Sequence, residues 1–161
     1  MNSVVCNAGP LIALTGVGQV ELLRELFGEV IVSIKVRDEV EVGGKTGPRT
    51  SLFGNAPWIR VIDLTDPPDP LLETLLDQGE AETIALALQA SAALVLMDER
   101  KGRKIARDIY GLAVIGTGRL LTEAKKAGFI PEVRPLIDQI RHNGYWLSDK
   151  IVAEILRQAG E

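Results

Sequence analysis

The fold is decided near the N-terminus by the stretch Val4-Val5-Cys6-Asn7-Ala8-Gly9-Pro10. Its short apolar run predicts a buried strand, and the small residues and proline that follow predict a turn and the first turn of a helix. Similar apolar runs, each followed by a helical pattern, recur at Val30-Ile31-Val32, at Ala93 to Met97 and at Val114-Ile115. Because strands that alternate with helices form mostly parallel sheets covered on both faces, we expect an α/β fold.

The spacing of apolar residues also places the helices between and after these strands. Helices are predicted over residues 10–14, 20–27, 34–42, 71–76, 80–90 and 102–110, with Ser33 as the N-cap of the third, and three more helical segments follow Gly118. A further strand is predicted over residues 59–64, and an exposed glycine-rich loop over residues 43–55. The chain shows no internal repeat or linker. We therefore expect one domain over residues 1–161, with the helices from about residue 129 packed on the core or extending it.

The composition is that of a globular protein with an acidic balance. Of the 161 residues, 46% are hydrophobic and 25% are charged, which supplies enough apolar material for one core. The formal net charge is −4, whereas proteins that coat nucleic acid non-specifically carry a basic excess. A passive nucleic-acid coat is therefore disfavoured. A nuclease is not, because metal-binding carboxylates count as negative charge until a cation binds.

Cysteine usage and the N-terminal residues indicate a compartment. Cys6 is the one cysteine, so no intramolecular disulfide can form, and a lone thiol in an apolar stretch fits a reducing environment. Residues 1–5 contain no basic segment followed by a signal-peptide core, and no apolar run reaches the roughly 20 residues that span a bilayer. We therefore expect a cytoplasmic protein that does not enter a membrane.

Oxygen-bearing side chains follow two of the predicted strands. Asn7 comes directly after the first strand and Asp98 after the strand that ends at Met97. Ligands of open parallel sheets lie beyond these carboxyl ends. Glu39, in the helix after the second strand, and Glu80, which opens a later helix, supply two further carboxylates. Hard cations such as Mg²⁺ and Mn²⁺ prefer oxygen ligands, and clustered acids without a cation would repel one another. Convergence of these side chains would therefore indicate a divalent-metal site.

Each of these acids also has a purely structural explanation. Glu80 alone fits the general preference of acids for the positive end of a helix, and Asp98 alone could cap the helix that follows it. Glu39 alone is typical of a solvated surface. The prediction of a metal site depends on folding bringing the carboxylates together.

A basic run begins just after Asp98. It consists of Arg100, Lys101, Arg103, Lys104 and Arg107. A solvated helix face would explain this pattern, and so would a surface that steers phosphate toward a metal; the closeness to Asp98 favours phosphate binding. Thr117 follows the strand Val114-Ile115, and it could also point toward the acidic residues and the substrate.

The aromatic residues and the single histidine have less specific interpretations. Trp58, Tyr145 and Trp146 could stack on nucleic-acid bases, although such residues by default fill a core or an interface. His142 is expected at the surface or at a helix cap rather than as a general base. Cys6 is expected in the core.

Three stretches of the chain resemble the PIN-domain family of metal-dependent ribonucleases, which includes the VapC-type toxins of toxin–antitoxin pairs. They are residues 4–12 (VVCNAGPLI), 79–87 (GEAETIALA) and 94–100 (LVLMDER), and residues 34–40 around Glu39 give a weaker match. The helices after Gly128 are also similar to a prokaryotic branch of this family. The resemblance implies a three-layer α/β/α domain with a mostly parallel central sheet and Mg²⁺ or Mn²⁺ as cofactor. It also implies that Glu39, Glu80 and Asp98 are the metal-binding and catalytic acids.

The chain departs from the family pattern at the first acid, because Asn7 stands where the family has aspartate. An asparagine carbonyl can complete a metal shell, but it carries no charge and accepts no proton at neutral pH. One hypothesis is a metal-dependent ribonuclease that acts as a toxin, with RNA as substrate and an antitoxin as partner. The second is a PIN-like module with weakened catalysis that binds RNA or a partner protein. The third is an unrelated α/β enzyme that acts on a small phosphorylated substrate.

A homodimer is also expected. Leucine-rich helices near the N-terminus and around Leu120-Leu121 could form the dimer face, although the same leucines could belong to the core.

Overall fold

A parallel five-stranded sheet forms the centre of the protein in the computed structural model, which describes residues 3–43 and 52–161. The strands are β1 (Val4–Cys6), β2 (Val30–Val32), β3 (Ile59–Val61), β4 (Leu94–Leu96) and β5 (Val114–Ile115). Their order across the sheet is β3-β2-β1-β4-β5, and every neighbouring pair is parallel. The sequence-based prediction of an α/β fold with a parallel sheet is therefore confirmed.

Helices connect the strands and cover the sheet. They are α1 (Ala8–Gly16), α2 (Glu21–Phe27), α3 (Ile34–Gly43), α4 (Leu52–Asn55), α5 (Pro70–Leu75), α6 (Gln78–Gln89), α7 (Arg100–Asp108), α8 (Thr117–Lys126), α9 (Arg134–His142) and α10 (Asp149–Gln158). The predicted N-cap of α3 is confirmed, since the Ser33 hydroxyl accepts a hydrogen bond from the Val36 amide at 3.1 Å. No helix of the described residues is both long and apolar enough to span a bilayer.

Alternate residues of the strands belong to two separate hydrophobic cores, one on each face of the sheet. In β1, Val4 and Cys6 face the first core and Val5 faces the second. This two-residue period is what a pleated strand covered on both faces requires. The first core also contains side chains of α1, α3, α8, α9 and α10, whereas the second is completed by α5, α6 and α7. The sheet between two helical layers confirms the predicted three-layer α/β/α arrangement.

Several predicted element ends differ from the structure by one or two residues, and two predictions are wrong by more than that. Residues 52–55 form α4 rather than loop, because Leu52 is buried in the first core and anchors a helical turn; residues 44–51 of the predicted loop lie outside the described residues. The third strand ends at Val61 rather than at residue 64. Its last ladder bond runs from the Ile62 amide to the carbonyl of Val32, where β2 also ends, so the strand has no partner beyond that point.

Candidate functional site

The carboxyl ends of three neighbouring strands bring Asn7, Asp98 and Thr117 to one edge of the sheet. Asn7 directly follows β1, and its amide donates to the carbonyl of Leu96 in β4 at 2.9 Å. Asp98 lies two residues beyond the end of β4, and Thr117 two residues beyond the end of β5. This edge is where ligands of parallel α/β sheets bind.

The carboxylate of Asp98 is held by three hydrogen-bond donors. Oδ1 accepts from the Thr117 amide at 2.6 Å, and Oδ2 accepts from the Thr117 hydroxyl at 2.7 Å and from the Tyr145 hydroxyl. Thr117 is the first residue of α8, so Asp98 also faces the positive end of that helix. A carboxylate oxygen accepts about two hydrogen bonds, which leaves one acceptor position on Oδ1 among the described contacts.

These contacts bear on two interpretations of the sequence. Asp98 does not cap the helix that follows it, since the N-cap of α7 is Glu99; it binds the start of α8 instead. Thr117 does point at the acidic side chain, as predicted. The Thr117 side chain is buried and its hydroxyl is bonded to Asp98. The predicted contact of Thr117 with substrate stays a prediction.

Tyr145 is the functional contact that the sequence did not predict. It lies between α9 and α10, 47 residues beyond Asp98, and no motif links the two positions. Burial raises the pKa of the Tyr145 hydroxyl well above its ordinary value, and the negative charge of Asp98 raises it further. The hydroxyl therefore stays protonated and serves Asp98 as a hydrogen-bond donor at physiological pH.

Asn7 is buried beside α6. The Thr83 hydroxyl lies 3.1 Å from Oδ1 of Asn7 and 2.8 Å from the carbonyl of Gly79, and it donates toward both. A hydroxyl has one proton to share between these acceptors. An aspartate at position 7 would have the same shape and could accept the same bond, so the pocket does not exclude the charged residue.

Glu80 is placed by a capping box at the start of α6. Its amide donates to Oδ1 of Asp77 at 2.8 Å, and its own Oε1 accepts from the Asp77 amide at 3.3 Å. The helix-start interpretation of Glu80 is thus confirmed. The side chain is nonetheless buried, and this burial, together with the charge of Asp77, raises the pKa of Glu80 to about 7.

Glu39 projects from α3 onto the first turn of α6. A methyl group added to Gly79 would lie 2.8 Å from Oε2 of Glu39, closer than such contacts occur. The pKa of Glu39 is raised, first by burial and then by the charge of Asp77, with a further contribution from Glu82. Glu39 is therefore half-buried among other acids and is not the fully solvated surface residue of the alternative interpretation.

Each of the three acids packs against a glycine that lies in a later segment of the chain. Glu39 contacts Gly79, Oε2 of Glu80 lies 3.1 Å from the position of a Cβ on Gly102, and Oδ1 of Asp98 lies 2.8 Å from that position on Gly116. These glycines were not among the predicted site residues. An isolated glycine in the first turn of a helix, as at Gly79 and Gly102, is the signal that could have found two of them.

Within residues 3–43 and 52–161, no three Asp, Glu, His or Cys side chains lie close enough together to hold a metal ion. The lysines and arginines of this part of the chain form no ion pair with Glu39, Glu80 or Asp98. Lys35 lowers the pKa of Glu39 through its charge, against the larger effect of burial, without forming an ion pair with it. The donor atoms of the three acids are all oxygens, the ligands that a hard divalent metal prefers. Their metal-binding and catalytic roles stay predictions.

Arg103 differs from the other members of the basic run on α7. Arg100, Lys101, Lys104 and Arg107 are exposed, whereas Arg103 is half-buried. Its Nη1 and Oδ1 of Asp98 both lie within 3 Å of the position of a Cβ on Gly116, at 2.9 and 2.8 Å. The two side chains are thus neighbours that do not reach ion-pair distance. The buried Nε of Arg103 has no hydrogen-bond partner among the described residues.

The aromatic residues do not share one environment. Trp58 and Tyr145 are half-buried and pack against the first core, in line with their default interpretation. Trp146 is 80% exposed, so it does not fill the core, and the other default position, in an interface, stays a prediction. His142 is exposed at the end of α9 and Cys6 is fully buried, as predicted.

Comparison with known proteins identifies a family. No curated protein matches the chain. A protein-family model described as "PIN domain" matches residues 3–161, all of the chain except its first two residues. PIN domains are generally nucleases that act on nucleic acids and use divalent metals. The parallel sheet, the strand-end position of Asp98 and this match agree: the chain belongs to the PIN-domain family.

Proposed function

We propose that the protein is a divalent-metal-dependent ribonuclease that acts as the toxin of a toxin–antitoxin pair. The observation that carries the proposal is the Asp98 carboxylate, fixed by Thr117 and Tyr145 at the carboxyl edge of the sheet with one acceptor position left on Oδ1. These hydrogen bonds preorganise the carboxylate, which forms no ion pair with a described residue. A preorganised carboxylate of this kind is suited to bind a metal.

In this proposal Asp98, Glu80 and Glu39 hold Mg²⁺ or Mn²⁺, and the Asn7 carbonyl completes or orients the shell. A bound cation of this kind would activate a water molecule and neutralise charge on the scissile phosphate. Arg103 contacts a phosphate oxygen beside Asp98, because its guanidinium already lies there without an anionic partner among the described residues. Arg100, Lys101 and Lys104 contact neighbouring phosphates from the exposed face of α7.

The biological setting belongs to the same proposal. Resemblance to VapC-type toxins supports RNA as the substrate, an antitoxin protein as partner, a homodimer and a cytoplasmic location. Residues 1–161 act as one domain in this account, supported by the first core, which joins Leu11 of α1 to Ile137 of α9 and Leu156 of α10.

The second candidate is a PIN-like module that binds RNA or a protein partner without efficient cleavage. Asn7 favours it, because an amide at the end of β1 removes one negative charge from the proposed metal shell.

Cleavage of a labelled single-stranded RNA tests the proposal. We expect Mn²⁺-stimulated cleavage by the wild type that excess chelator stops and that Asp98→Asn abolishes. Asp108→Asn, an exposed aspartate at the end of α7, is the matched control and should cleave like the wild type. Cleavage by Asp98→Asn at the wild-type rate, or cleavage in chelator, would contradict the proposal.

Asn7→Asp separates the two candidates. If the wild type does not cleave and Asn7→Asp gains both Mn²⁺ affinity and cleavage, the natural protein is the weakened module. If the wild type cleaves and Asn7→Asp only changes the rate, the ribonuclease stands.

A further inference from the structure

Trp146 is the most exposed large hydrophobic residue in the described part of the chain. It lies in the connection between α9 and α10, and 80% of its surface is accessible. Single exposed apolar residues are common and need no explanation by themselves. The exposure of Trp146 requires an explanation because the preceding residue, Tyr145, donates a hydrogen bond to Asp98.

The backbone around Trp146 is fixed on both sides. The Tyr145 amide donates to the carbonyl of Ile140 at 3.2 Å, and the half-buried side chain of Leu147 packs against the first core. Ser148 then caps α10 by accepting from the Ile151 amide at 3.2 Å. Consecutive Cα atoms are about 3.8 Å apart, so Trp146 begins one residue step from the Tyr145 backbone. The indole is therefore exposed on a fixed segment, one residue beyond the tyrosine whose hydroxyl reaches Asp98.

The acid that Tyr145 contacts stands at the start of the basic helix α7. The Tyr145 hydroxyl donates to Asp98, two residues before Arg100, and Oδ1 of Asp98 and Nη1 of Arg103 lie 2.8 and 2.9 Å from the position of a Cβ on Gly116. Asp98 and Glu99 are acidic, whereas the five basic residues of α7 that follow form no ion pair with the described part of the chain. Cations that contact phosphates and aromatic faces that stack on bases are the two features with which proteins bind single strands.

We propose that Trp146 stacks on an unpaired base of single-stranded RNA, next to the phosphodiester that lies at Asp98. The inference rests on the proposed function, because it takes the edge at Asp98 as the place of cleavage. It adds the residue that contacts the substrate and the state of the base that it contacts: the base must be unpaired, since base faces within a duplex are covered by their neighbours. A duplex of the same sequence should bind more weakly.

Tryptophan fluorescence measures the stack directly, because Trp58 and Trp146 are the two tryptophans of the chain. The full chain, without added metal, is titrated with an unstructured oligoribonucleotide and with an abasic oligonucleotide of the same length. We expect the base-containing probe to quench the emission and to protect it from acrylamide, and the abasic probe to do neither. The same titration of Trp146→Phe, which retains Trp58, should show no quenching.

Affinity provides the second measurement. Trp146→Ala should weaken binding of the oligoribonucleotide on the order of tenfold, as loss of one base stack does, and Trp146→Tyr should restore most of the loss. Phe129→Ala, at another exposed aromatic residue, is the matched control and should bind like the wild type. Thermal unfolding and Mn²⁺ affinity of Trp146→Ala should match the wild type.

Three results would overturn the inference. They are equal quenching by the abasic probe, equal RNA affinity of Trp146→Ala, and a Trp146→Ala variant whose oligomeric state changes in sedimentation while its RNA affinity does not. The last result would make Trp146 a protein contact. A wild type that binds the oligoribonucleotide through Trp146 but never cleaves it would refute the nuclease proposal alone. A wild type that cleaves with a KM unchanged by Trp146→Ala would refute the stack alone.

Discussion

At the level of single residues, the hydrogen bond from the Tyr145 hydroxyl to Asp98 is the contact that helps to fix the position of the strand-end carboxylate. The half-buried carboxylate of Asp98 accepts hydrogen bonds from a backbone amide and two hydroxyls, which fix its position. Asn7, which directly follows the neighbouring strand β1, accepts a hydrogen bond from the Thr83 hydroxyl. The sequence shows the acid and the asparagine, but the tyrosine that fixes the acid becomes evident only after folding.

Removal of the Tyr145 hydroxyl should therefore destabilise the protein. We expect Tyr145→Phe to lower the free energy of unfolding by about 2 kcal/mol, typical of a buried hydrogen bond to a charged group. Tyr110→Phe is the matched control, because the Tyr110 hydroxyl also donates to an aspartate, Asp69, at 3.3 Å but at the surface. Denaturant unfolding should show little change for Tyr110→Phe. Equal decreases in the free energy of unfolding for the two variants would mean that the hydrogen bond to Asp98 stabilises the protein no more than the surface bond to Asp69.

The next scale is that of the helices, whose first turns form the walls of the site. α6 begins with the capping box of Asp77 and Glu80, and α8 begins at the residue whose amide binds Asp98. Glycines at these turns let the acids of neighbouring segments approach the backbone. The elements therefore fix how far apart the carboxylates lie, and a side chain at such a glycine should move them.

Gly116→Ala tests this role of the helix starts. Gly116 has φ −101° and ψ 178°, which alanine adopts freely, so any effect comes from the added methyl group. That group would lie 2.8 Å from Oδ1 of Asp98 and 2.9 Å from Nη1 of Arg103. We expect Mn²⁺ affinity to fall about tenfold, as it does when the support of a metal ligand is disturbed. Gly54→Ala, where a Cβ meets nothing within 4 Å, should bind Mn²⁺ normally. Unchanged affinity of Gly116→Ala would show that the position of Asp98 does not limit binding.

At the scale of the whole molecule, Glu161 ties the end of the described chain to the first helical layer. Its carboxylate accepts from the amides of Val133 and Arg134 at 2.7 and 3.0 Å and from Nζ of Lys125 at 3.0 Å. Burial raises the pKa of Glu161, but these hydrogen bonds and the charge of Lys125 outweigh it and lower the pKa to about 2. The contact therefore joins α8 to the start of α9 while the carboxylate is charged.

This lowered pKa makes a prediction about stability and pH. A carboxyl group whose pKa is lower in the folded state stabilises it above the unfolded-state pKa of about 4.5, and loses that effect as pH falls toward 2. Glu161→Gln should thus lower the Tm at pH 7, and the difference from the wild type should vanish near pH 2. Glu132→Gln, at an exposed glutamate next to the same turn, should change the Tm at neither pH. A Glu161→Gln difference that persisted at pH 2 would rule out a charge-dependent contact.

The fold was predictable because each strand is a short apolar run that can be recognised without knowing which strands it pairs with. Val4 to Cys6 and Val30 to Val32 are examples. α4 was missed because a single buried leucine, Leu52, anchors it within a polar stretch. At the site, the strand-end rule located Asn7 and Asp98. Tyr145 and the exposed Trp146 could not be placed, since their environments depend on how α9 and α10 pack on the sheet.

The central proposal is that Asp98 binds a divalent cation, with Glu80 and Glu39 proposed as further ligands. Calorimetric titration of Mn²⁺ into the wild type, Asp98→Asn and Asp108→Asn tests it most directly, because no substrate is required. The account predicts binding to the wild type and to Asp108→Asn, and its loss in Asp98→Asn. Equal binding by all three proteins, or no binding by any of them, would contradict it.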